Sequence, residues 1–280
     1  MGIYHRPGKL KDALAVLATT GAQPVAGCTD VFASTGAQEL PGDVLDVTAI
    51  DELRGITKTG LGWRIGATTT WRDVVCTKLP PAFCMLQQAA REIGGLQVQN
   101  AGTVAGNLCN ASPAADGMPP LLALNAQVEL ASEQGIRIID LADFVSGPRA
   151  TVRRDNELLS AVLVPDASVL GCSRFLKLGA RKHLVISIAM VAVRLDVQDE
   201  IIRDVAVAIG ACGPVAIRAS KLERALVGTR VDQADQLVSV AHLEDALSPI
   251  SDVRGEAGYR SVAALELVQR GIVDVLEAYR

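Results

Sequence analysis

The fold of this chain can be inferred from residues 100–117, which we call the central stretch. They read N-A-G-T-V-A-G-N-L-C-N-A-S-P-A-A-D-G. The stretch combines three glycines and three asparagines with Thr103, Ser112, Pro113 and Asp116. Glycine tolerates positive φ and lets other atoms approach the backbone, so such a stretch can fold over a ligand and aim main-chain N–H groups at an anion. A surface turn is the common alternative for Gly, Asn and Ser clusters. The stretch alone leaves both interpretations open.

A second small-residue loop, Q-P-V-A-G-C-T-D-V-F at residues 23–32, lies far away in the sequence. The chain has no phosphate-loop motif, and the glycines at 60, 62 and 66 have the wrong spacing for a dinucleotide fingerprint and precede a strand. Two such loops in one chain predict an extended phosphate-bearing ligand that is held from two sides.

The motifs in these loops resemble those of a known family. A-G-x-T-D at residues 26–30 and G-T-x-x-G-N-x-x-N-A-S-P-x-x-D at residues 102–116 are similar to the FAD-binding medium subunits of molybdenum hydroxylases, the xanthine, aldehyde and carbon monoxide dehydrogenase type. The resemblance runs nearly end to end, through I-G-A-T-T-T-W at 65–71, F-L-K-L-G-A-R-K at 175–182 and D-V-R-G-E-A-G-Y-R at 252–260. It implies the vanillyl-alcohol-oxidase-like flavoprotein fold.

The resemblance implies a noncovalent FAD site without catalytic or metal-binding residues in this chain. It places main-chain contacts to the pyrophosphate at residues 26–31 and 103–107, Asp116 at the ribityl chain, Ile93 beside the ring and Lys177 near the flavin. The implied cofactor-binding residues are Val25, Ala26, Gly27, Cys28, Thr29, Asp30, Val31, Ile93, Thr103, Ala105, Gly106, Asn107, Ser112, Asp116 and Lys177.

The residue types alone also allow simpler roles at these positions. Thr103 and Asp116 suit a turn and a helix N-cap, and Ile93 suits plain core packing. Lys177 in a strand indicates a solvated face, and Ser187, inside an apolar strand pattern without a nucleophile elbow, indicates ordinary packing. The family often has Gly at the positions of Cys28 and Ala105, so either both positions have ordinary dihedrals, which we expect, or flavin binding is weakened.

Composition excludes several classes of protein. The chain has 280 residues, of which 49% are hydrophobic and 3% aromatic. Its net charge is −4 and it has no long run of Lys and Arg, so its charge pattern does not indicate nucleic-acid binding. It shows no secretory signal and no apolar segment of transmembrane length, and we expect a cytoplasmic protein without a membrane span. The six cysteines lack C-x-x-C spacing and nearby histidines, so we expect no zinc or iron–sulfur site built from this chain alone. If electrons pass through clusters, as the resemblance implies, those clusters belong to another chain.

Hydrophobic periodicity predicts a two-domain α+β protein. The predicted helices span 9–19, 70–79, 83–93, 118–124, 216–226, 231–247 and 256–276, and long strands span 173–179, 187–196 and 201–211. We place an FAD-binding domain at 1–167, with subdomains at about 1–54 and 55–167, and a second domain at 171–280. The resemblance implies that the latter is a three-stranded sheet with a helical bundle.

We therefore expect an oxidoreductase subunit whose FAD passes electrons from iron–sulfur clusters of a small subunit to NAD or another acceptor. Substrate oxidation would occur at the molybdopterin cofactor of a large subunit, in a heterotrimer or its dimer. Two alternatives stay open: a self-sufficient flavin-dependent oxidoreductase of the same fold, for which the sequence offers no acid–base set, and an assembly subunit without flavin.

Overall fold

The computed structural model describes residues 2–34 and 40–279. Its α-helices are α1 (Leu10–Thr20), α2 (Val31–Ser34), α3 (Trp71–Cys76), α4 (Cys84–Glu92), α5 (Leu96–Ala101), α6 (Val104–Asn110), α7 (Met118–Ala123), α8 (Leu141–Phe144), α9 (Ser220–Leu226) and α10 (Ala257–Leu276). Its strands are β1 (Tyr4–His5), β2 (Gln23–Val25), β3 (Val44–Asp46), β4 (Ile56–Thr59), β5 (Gly62–Gly66), β6 (Gln127–Ser132), β7 (Gly135–Asp140), β8 (Val145–Gly147), β9 (Ala150–Thr151), β10 (Leu158–Pro165), β11 (Cys172–Leu178), β12 (Ala189–Gln198), β13 (Ile201–Gly210) and β14 (Ile217–Arg218).

A small parallel sheet of order β1-β3-β2 begins the chain, with α1 as the crossover from β1 to β2. The helix buries Ala13, Leu14 and Leu17, which recur at helical spacing along one face. It ends at Gly21, whose φ of 63° is left-handed and whose N–H donates to the Leu17 carbonyl. The predicted helix and its glycine stop are confirmed, and β2 then begins the segment 23–32, which is the first of the two small-residue loops in chain order.

An antiparallel sheet of order β4-β5-β10-β6-β7 forms the second layer. Gly60 lies in the hairpin turn between β4 and β5, and Gly62 is the first residue of β5. Helix α3 begins with a capping box in which Thr70 Oγ1 accepts from Asp73 N and the Asp73 carboxylate accepts from Thr70 N. The helix therefore begins where predicted, and it connects this sheet to the central stretch.

The third sheet, of order β11-β12-β13-β14, is buried on both faces. A separate hydrophobic core lies on each face. Along β12, Met190 and Ala192 face the first core, which residues 13–164 mainly form, whereas Val191 and Val193 face a second core that α10 covers. Burial on both faces explains why the strand is apolar throughout instead of alternating. The three long strands predicted here are present, and two-residue β14 extends the sheet at its edge.

The predicted helix at 231–247 is wrong. The chain forms three 3-10 turns, Asp235–Leu237, Val240–His242 and Glu244–Ala246. Ser239 interrupts helical geometry with an extended φ of −140° and ψ of 164°, so Val238 and Leu243 reach the second core from separate turns. The helix predicted at 216–226 begins only at Ser220, because residues 217–218 pair with β13 as β14. The predicted helix at 256–276 is confirmed by α10.

Arg194 of β12 ties the third sheet to the rest of the molecule. Its side chain is fully buried, and its guanidinium donates to Ala123 O at the end of α7 (3.2 Å), to Leu170 O (3.3 Å) and to Asp204 Oδ2 (2.7 Å). The N–H donors of a buried guanidinium need hydrogen-bond acceptors. Arg194 therefore fixes the end of α7, the main chain at Leu170 and β13 relative to one another. Within residues 2–34 and 40–279 no helix is long and apolar enough to cross a bilayer.

Candidate functional site

A cavity of about 600 Å³ lies between the small parallel sheet and the central stretch. Its size is in the range of small-molecule and cofactor sites. Both predicted loops contribute to its wall. The predicted residues that line it are Val25, Ala26, Gly27, Cys28, Thr29, Asp30, Val31, Ile93, Thr103, Ala105, Gly106 and Asn107.

Close backbone contacts hold the two loops together. A Cβ added to Gly27 would lie 2.5 Å from the carbonyl carbon of Ala101 and closer still to its oxygen. On the other side, the segment joins α3 through the bonds from Trp71 N to Gly102 O (3.1 Å) and from Val104 N to Thr69 O (3.0 Å). The cavity wall is therefore made of main chain in tight contact, which only glycine permits at position 27.

The central stretch is partly helical, whereas we predicted a loop. Thr103 is the N-cap of α6, and its Oγ1 accepts from the Gly106 N–H at 3.0 Å. The Thr103 hydroxyl can still donate its hydrogen to a ligand. Because Ala105 lies inside the helix, its expected ordinary dihedrals are confirmed. Cys28 contradicts the same expectation with a left-handed φ of 53°, which turns the first loop at this point.

Several polar groups in the cavity wall lack partners. The Asn107 Oδ1 is buried and accepts no hydrogen bond from the described residues. The main-chain N–H groups of Gly27, Cys28 and Thr29 find no acceptor within residues 2–34 and 40–279. Gly27 and Cys28 are half-buried and Thr29 is exposed, so a ligand can reach this part of the wall. Phosphate oxygens would accept from the three N–H groups, so the wall fits a nucleotide cofactor.

Two arginines in the wall were not predicted. Arg149 has a left-handed φ of 60°, its N–H donates to Ala111 O (2.8 Å), and its guanidinium donates to the side-chain and main-chain oxygens of Asn110. Arg153 is held by Glu157 O at 2.7 Å. Leu158 and Leu159 at the start of β10 complete this side of the wall. The arginines at 149, 153 and 154 were the one local signal in the sequence for a basic cavity wall. The contact of Arg149 with Asn110 joins residues far apart in the sequence, so local patterns could not predict it.

Ser112, Asp116 and Lys177 do not line this cavity. Ser112 Oγ accepts from Ala114 N at 3.3 Å and stabilises a turn. Asp116 is buried, with its Oδ2 2.7 Å from Lys177 Nζ and its Oδ1 2.6 Å from Ser187 Oγ. Burial raises the pKa of the Asp116 carboxyl, and Lys177 and Ser187 counteract this rise. The contacts of these three residues with a cofactor stay predictions.

Lys177 is not on a solvated face, which was the indication of its strand context alone. Its side chain is only 7% exposed, and Nζ also approaches Glu92 O at 3.5 Å. Glu92 immediately precedes Ile93 of the first cavity. Both Lys177 and Glu92 line a second cavity of about 640 Å³, so the end of α4 separates the two cavities. The basic residues that line the second cavity are Arg91, Arg174, Lys177, Arg181 and Lys182.

Among the described residues, no group of three or more His, Cys, Asp or Glu side chains could hold a metal ion. The six cysteines are free thiols. Within the described residues, the candidate site therefore consists of the two cavities and the buried ion pair between Asp116 and Lys177.

Residues 1–167 match the family described as the FAD binding domain in molybdopterin dehydrogenase, and residues 174–275 match the CO dehydrogenase flavoprotein C-terminal domain. The chain is 30% identical to the glyceraldehyde dehydrogenase medium chain of Sulfolobus acidocaldarius over 97% of both chains. It is also 30% identical to the carbon monoxide dehydrogenase medium chain of Afipia carboxidovorans, over 96% of this chain and 94% of that one. These similarities do not support a self-sufficient enzyme or a flavin-free subunit.

A solved structure of a Cu,Mo-CO dehydrogenase superposes with a TM-score of 0.90 at 28% identity, over 98% of this chain and 97% of the other. The agreement covers both the small parallel sheet and the third sheet, so it extends through the whole architecture.

Proposed function

The chain belongs to the family of FAD-binding medium subunits of molybdopterin dehydrogenases, and from this premise we propose that it passes electrons from iron–sulfur clusters of a small partner subunit through FAD to NAD. Substrate would be oxidised at the molybdopterin cofactor of a large partner subunit. Bound FAD supplies the redox chemistry, because it can accept electrons singly and donate them in pairs. We assign FAD binding to residues 1–167 and the covering second domain to residues 171–280.

The observation that carries the proposal is the first cavity. Its wall unites the two small-residue loops, leaves N–H groups at residues 27–29 without acceptors in the described structure, and buries the unpartnered Asn107 Oδ1. We propose that the N–H groups bind the pyrophosphate and that the side chain of Asn107, which lines the cavity, contacts the cofactor. Thr103 would donate its hydroxyl hydrogen to the same ligand, because its lone pair is already used by Gly106.

The second cavity supports NAD as the acceptor. Arg91, Arg181 and Lys182 are exposed on its wall, and Glu92 is the one carboxylate that lines it among the described residues. An excess of positive charge in a concave site favours an anionic ligand such as a dinucleotide. Glu92 in the wall of this cavity is directly followed by Ile93 in the wall of the first cavity. An acceptor in the second cavity would therefore lie beside the proposed flavin site.

The proposal is tested on the purified full-length chain. We expect oxidised-flavin absorption bands with one FAD per chain, and the apoprotein should take up FAD but not riboflavin, which lacks the pyrophosphate. A chain that purifies without flavin and does not bind added FAD would contradict the proposal.

The acceptor is tested separately by the reverse reaction. Under anaerobic conditions NADH should bleach the flavin bands of the isolated holoprotein without any partner subunit. If NADH leaves the bands unchanged while dithionite bleaches them, NAD is not the acceptor and the FAD assignment still stands.

A further inference from the structure

Ser187 joins the third sheet to the central stretch through a buried hydroxyl. It is fully buried and lies two residues before β12. Its Oγ donates to Asp116 Oδ1 at 2.6 Å, while Lys177 Nζ donates to Asp116 Oδ2 at 2.7 Å. Each carboxylate oxygen therefore has one partner, and both partners come from the second half of the chain.

The main chain at Ser187 is fixed from three directions. Ile188 N donates to Leu178 O at 2.8 Å, Arg254 Nη1 donates to Ser187 O at 3.4 Å, and Arg260 Nη1 donates to Ile188 O at 3.0 Å. Both arginines bind Asp252, whose Oδ1 lies 2.6 Å from Arg260 Nη2 and whose Oδ2 lies 2.6 Å from Arg254 Nη2. The hydroxyl is thus held at Asp116 by a rigid surrounding network and not by packing alone.

The hydroxyl stabilises the ionised form of Asp116. Burial raises the pKa of the Asp116 carboxyl, and the charge of Glu92 raises it further, whereas Lys177 and the hydrogen bond from Ser187 lower it. An ionised Asp116 neutralises the charge of Lys177, and a protonated Asp116 leaves that charge uncompensated. Two charged groups act directly on Asp116, Lys177 and Glu92. Their elements, β11 and α4, also carry Arg174 and Arg91, and the network behind Ser187 adds Asp252, Arg254 and Arg260.

We infer that Ser187 is a positioning residue for the flavin site: its hydrogen bond to Asp116 helps Lys177 to keep this carboxylate ionised, and so it lowers the pH below which the charge of Lys177 acts on the flavin. This inference rests on the proposed function. Lys177 lines the second cavity and contacts the carbonyl of Glu92, next to Ile93 of the first. A positive charge in this wall favours a reduced, more negative flavin because the site is partly shielded from water.

The test compares the flavin reduction potential as a function of pH in wild type, Ser187→Ala, Ser187→Thr and Ser173→Ala. Ser173 is a matched control because its buried hydroxyl also joins the third sheet to the first half of the chain, through Ala82 O at 2.8 Å, but it does not contact Asp116. Flavin reduction itself takes up protons, so the potential of every variant rises as pH falls, and protonation of Asp116 adds a further rise. This further rise should begin about one pH unit higher in Ser187→Ala than in wild type. Ser187→Thr restores the hydroxyl and, like Ser173→Ala, should follow the wild-type curve.

A second measurement does not depend on flavin. The carbon-13 shift of the Asp116 carboxyl, followed by NMR in the apoprotein, should titrate at higher pH in Ser187→Ala by the same amount. If Ser187→Ala does not fold, Arg254→Lys should displace both curves in the same direction, because it loosens the Ser187 main chain. Coincident wild-type and Ser187→Ala curves would overturn the inference. Absence of FAD from the wild type would instead contradict the proposed function, and the apoprotein titration would still decide the role of Ser187.

Discussion

Gly27 lies directly against the main chain of Ala101, so the two small-residue loops meet without a side chain between them. The contact joins the first subdomain to the end of α5, at Ala101, where the central stretch begins. Because the same loops form the cavity wall, the shape of the proposed cofactor site depends on this contact.

Gly27→Ala is expected to abolish stoichiometric FAD binding. The added Cβ would lie 2.5 Å from the Ala101 carbonyl carbon, so the loops must separate. Gly60→Ala is the control, since a Cβ at position 60 meets no atom within 4 Å. Flavin content after purification, measured by absorption, distinguishes the two. Full flavin content in Gly27→Ala would show that the contact does not shape the site.

Asn107→Leu should affect FAD binding and apoprotein stability in opposite directions. The variant removes a buried oxygen without a partner, so the free energy of unfolding of the apoprotein should stay level or rise by about 1 kcal/mol. Affinity for FAD should fall about tenfold or more, because a polar side chain in the cavity wall is replaced by an apolar one. Urea unfolding and FAD titration measure the two quantities, with exposed Asn100→Leu as the control. Equal losses in both would indicate a packing defect.

Lys177 and Asp116 should show strong coupling in a double-mutant cycle. Lys177→Met or Asp116→Leu alone leaves one buried charge unpaired, which costs about 3–5 kcal/mol of unfolding free energy. The double variant replaces both charges and should be less destabilised than either single variant. Chemical denaturation of the apoproteins tests this directly. Additive effects would show that the pair does not interact in solution.

Asp252 should make stability depend on acid pH. Hydrogen bonds and charge from Arg254, with the charge of Arg260, hold the pKa of the Asp252 carboxyl well below its usual range. A lowered pKa contributes stability that is present above the unfolded value of about 4 and is lost as pH falls toward the folded value. Wild type should therefore exceed Asp252→Asn in unfolding free energy at pH 7, and the difference should shrink below about pH 4. A constant difference from pH 7 to pH 2 would contradict this.

The cavity loops were predictable from sequence because their signals are local. Gly27 and Thr103 sit in runs of small residues whose spacing also carries the family resemblance. Lys177 was different: its strand neighbours indicate solvent, and the carboxylate that buries it lies 61 residues earlier in the chain. Arg149 was missed for the same reason, since its partner Asn110 is 39 residues away.

The helix predicted at 231–247 failed for a related physical reason. Its apolar residues have helical spacing, but each reaches the second core from its own short turn, and tertiary burial overrides local propensity. Left-handed Cys28 was missed because cysteine, unlike Gly or Asn, does not itself favour a positive φ; the glycine that the family often has at this position was the one signal.

Buried Arg194 has a consequence for the order of events during synthesis. The carbonyl at the end of α7 and the first core are completed by residues 190–211, which emerge from the ribosome long after the cavity loops. The first 167 residues should therefore remain open and protease-sensitive while the chain is nascent, and FAD should protect the chain only after residue 211 has emerged. Arrest of translation at successive lengths, followed by brief proteolysis with and without FAD, would measure this; protection at residue 167 would show that the early part closes unaided.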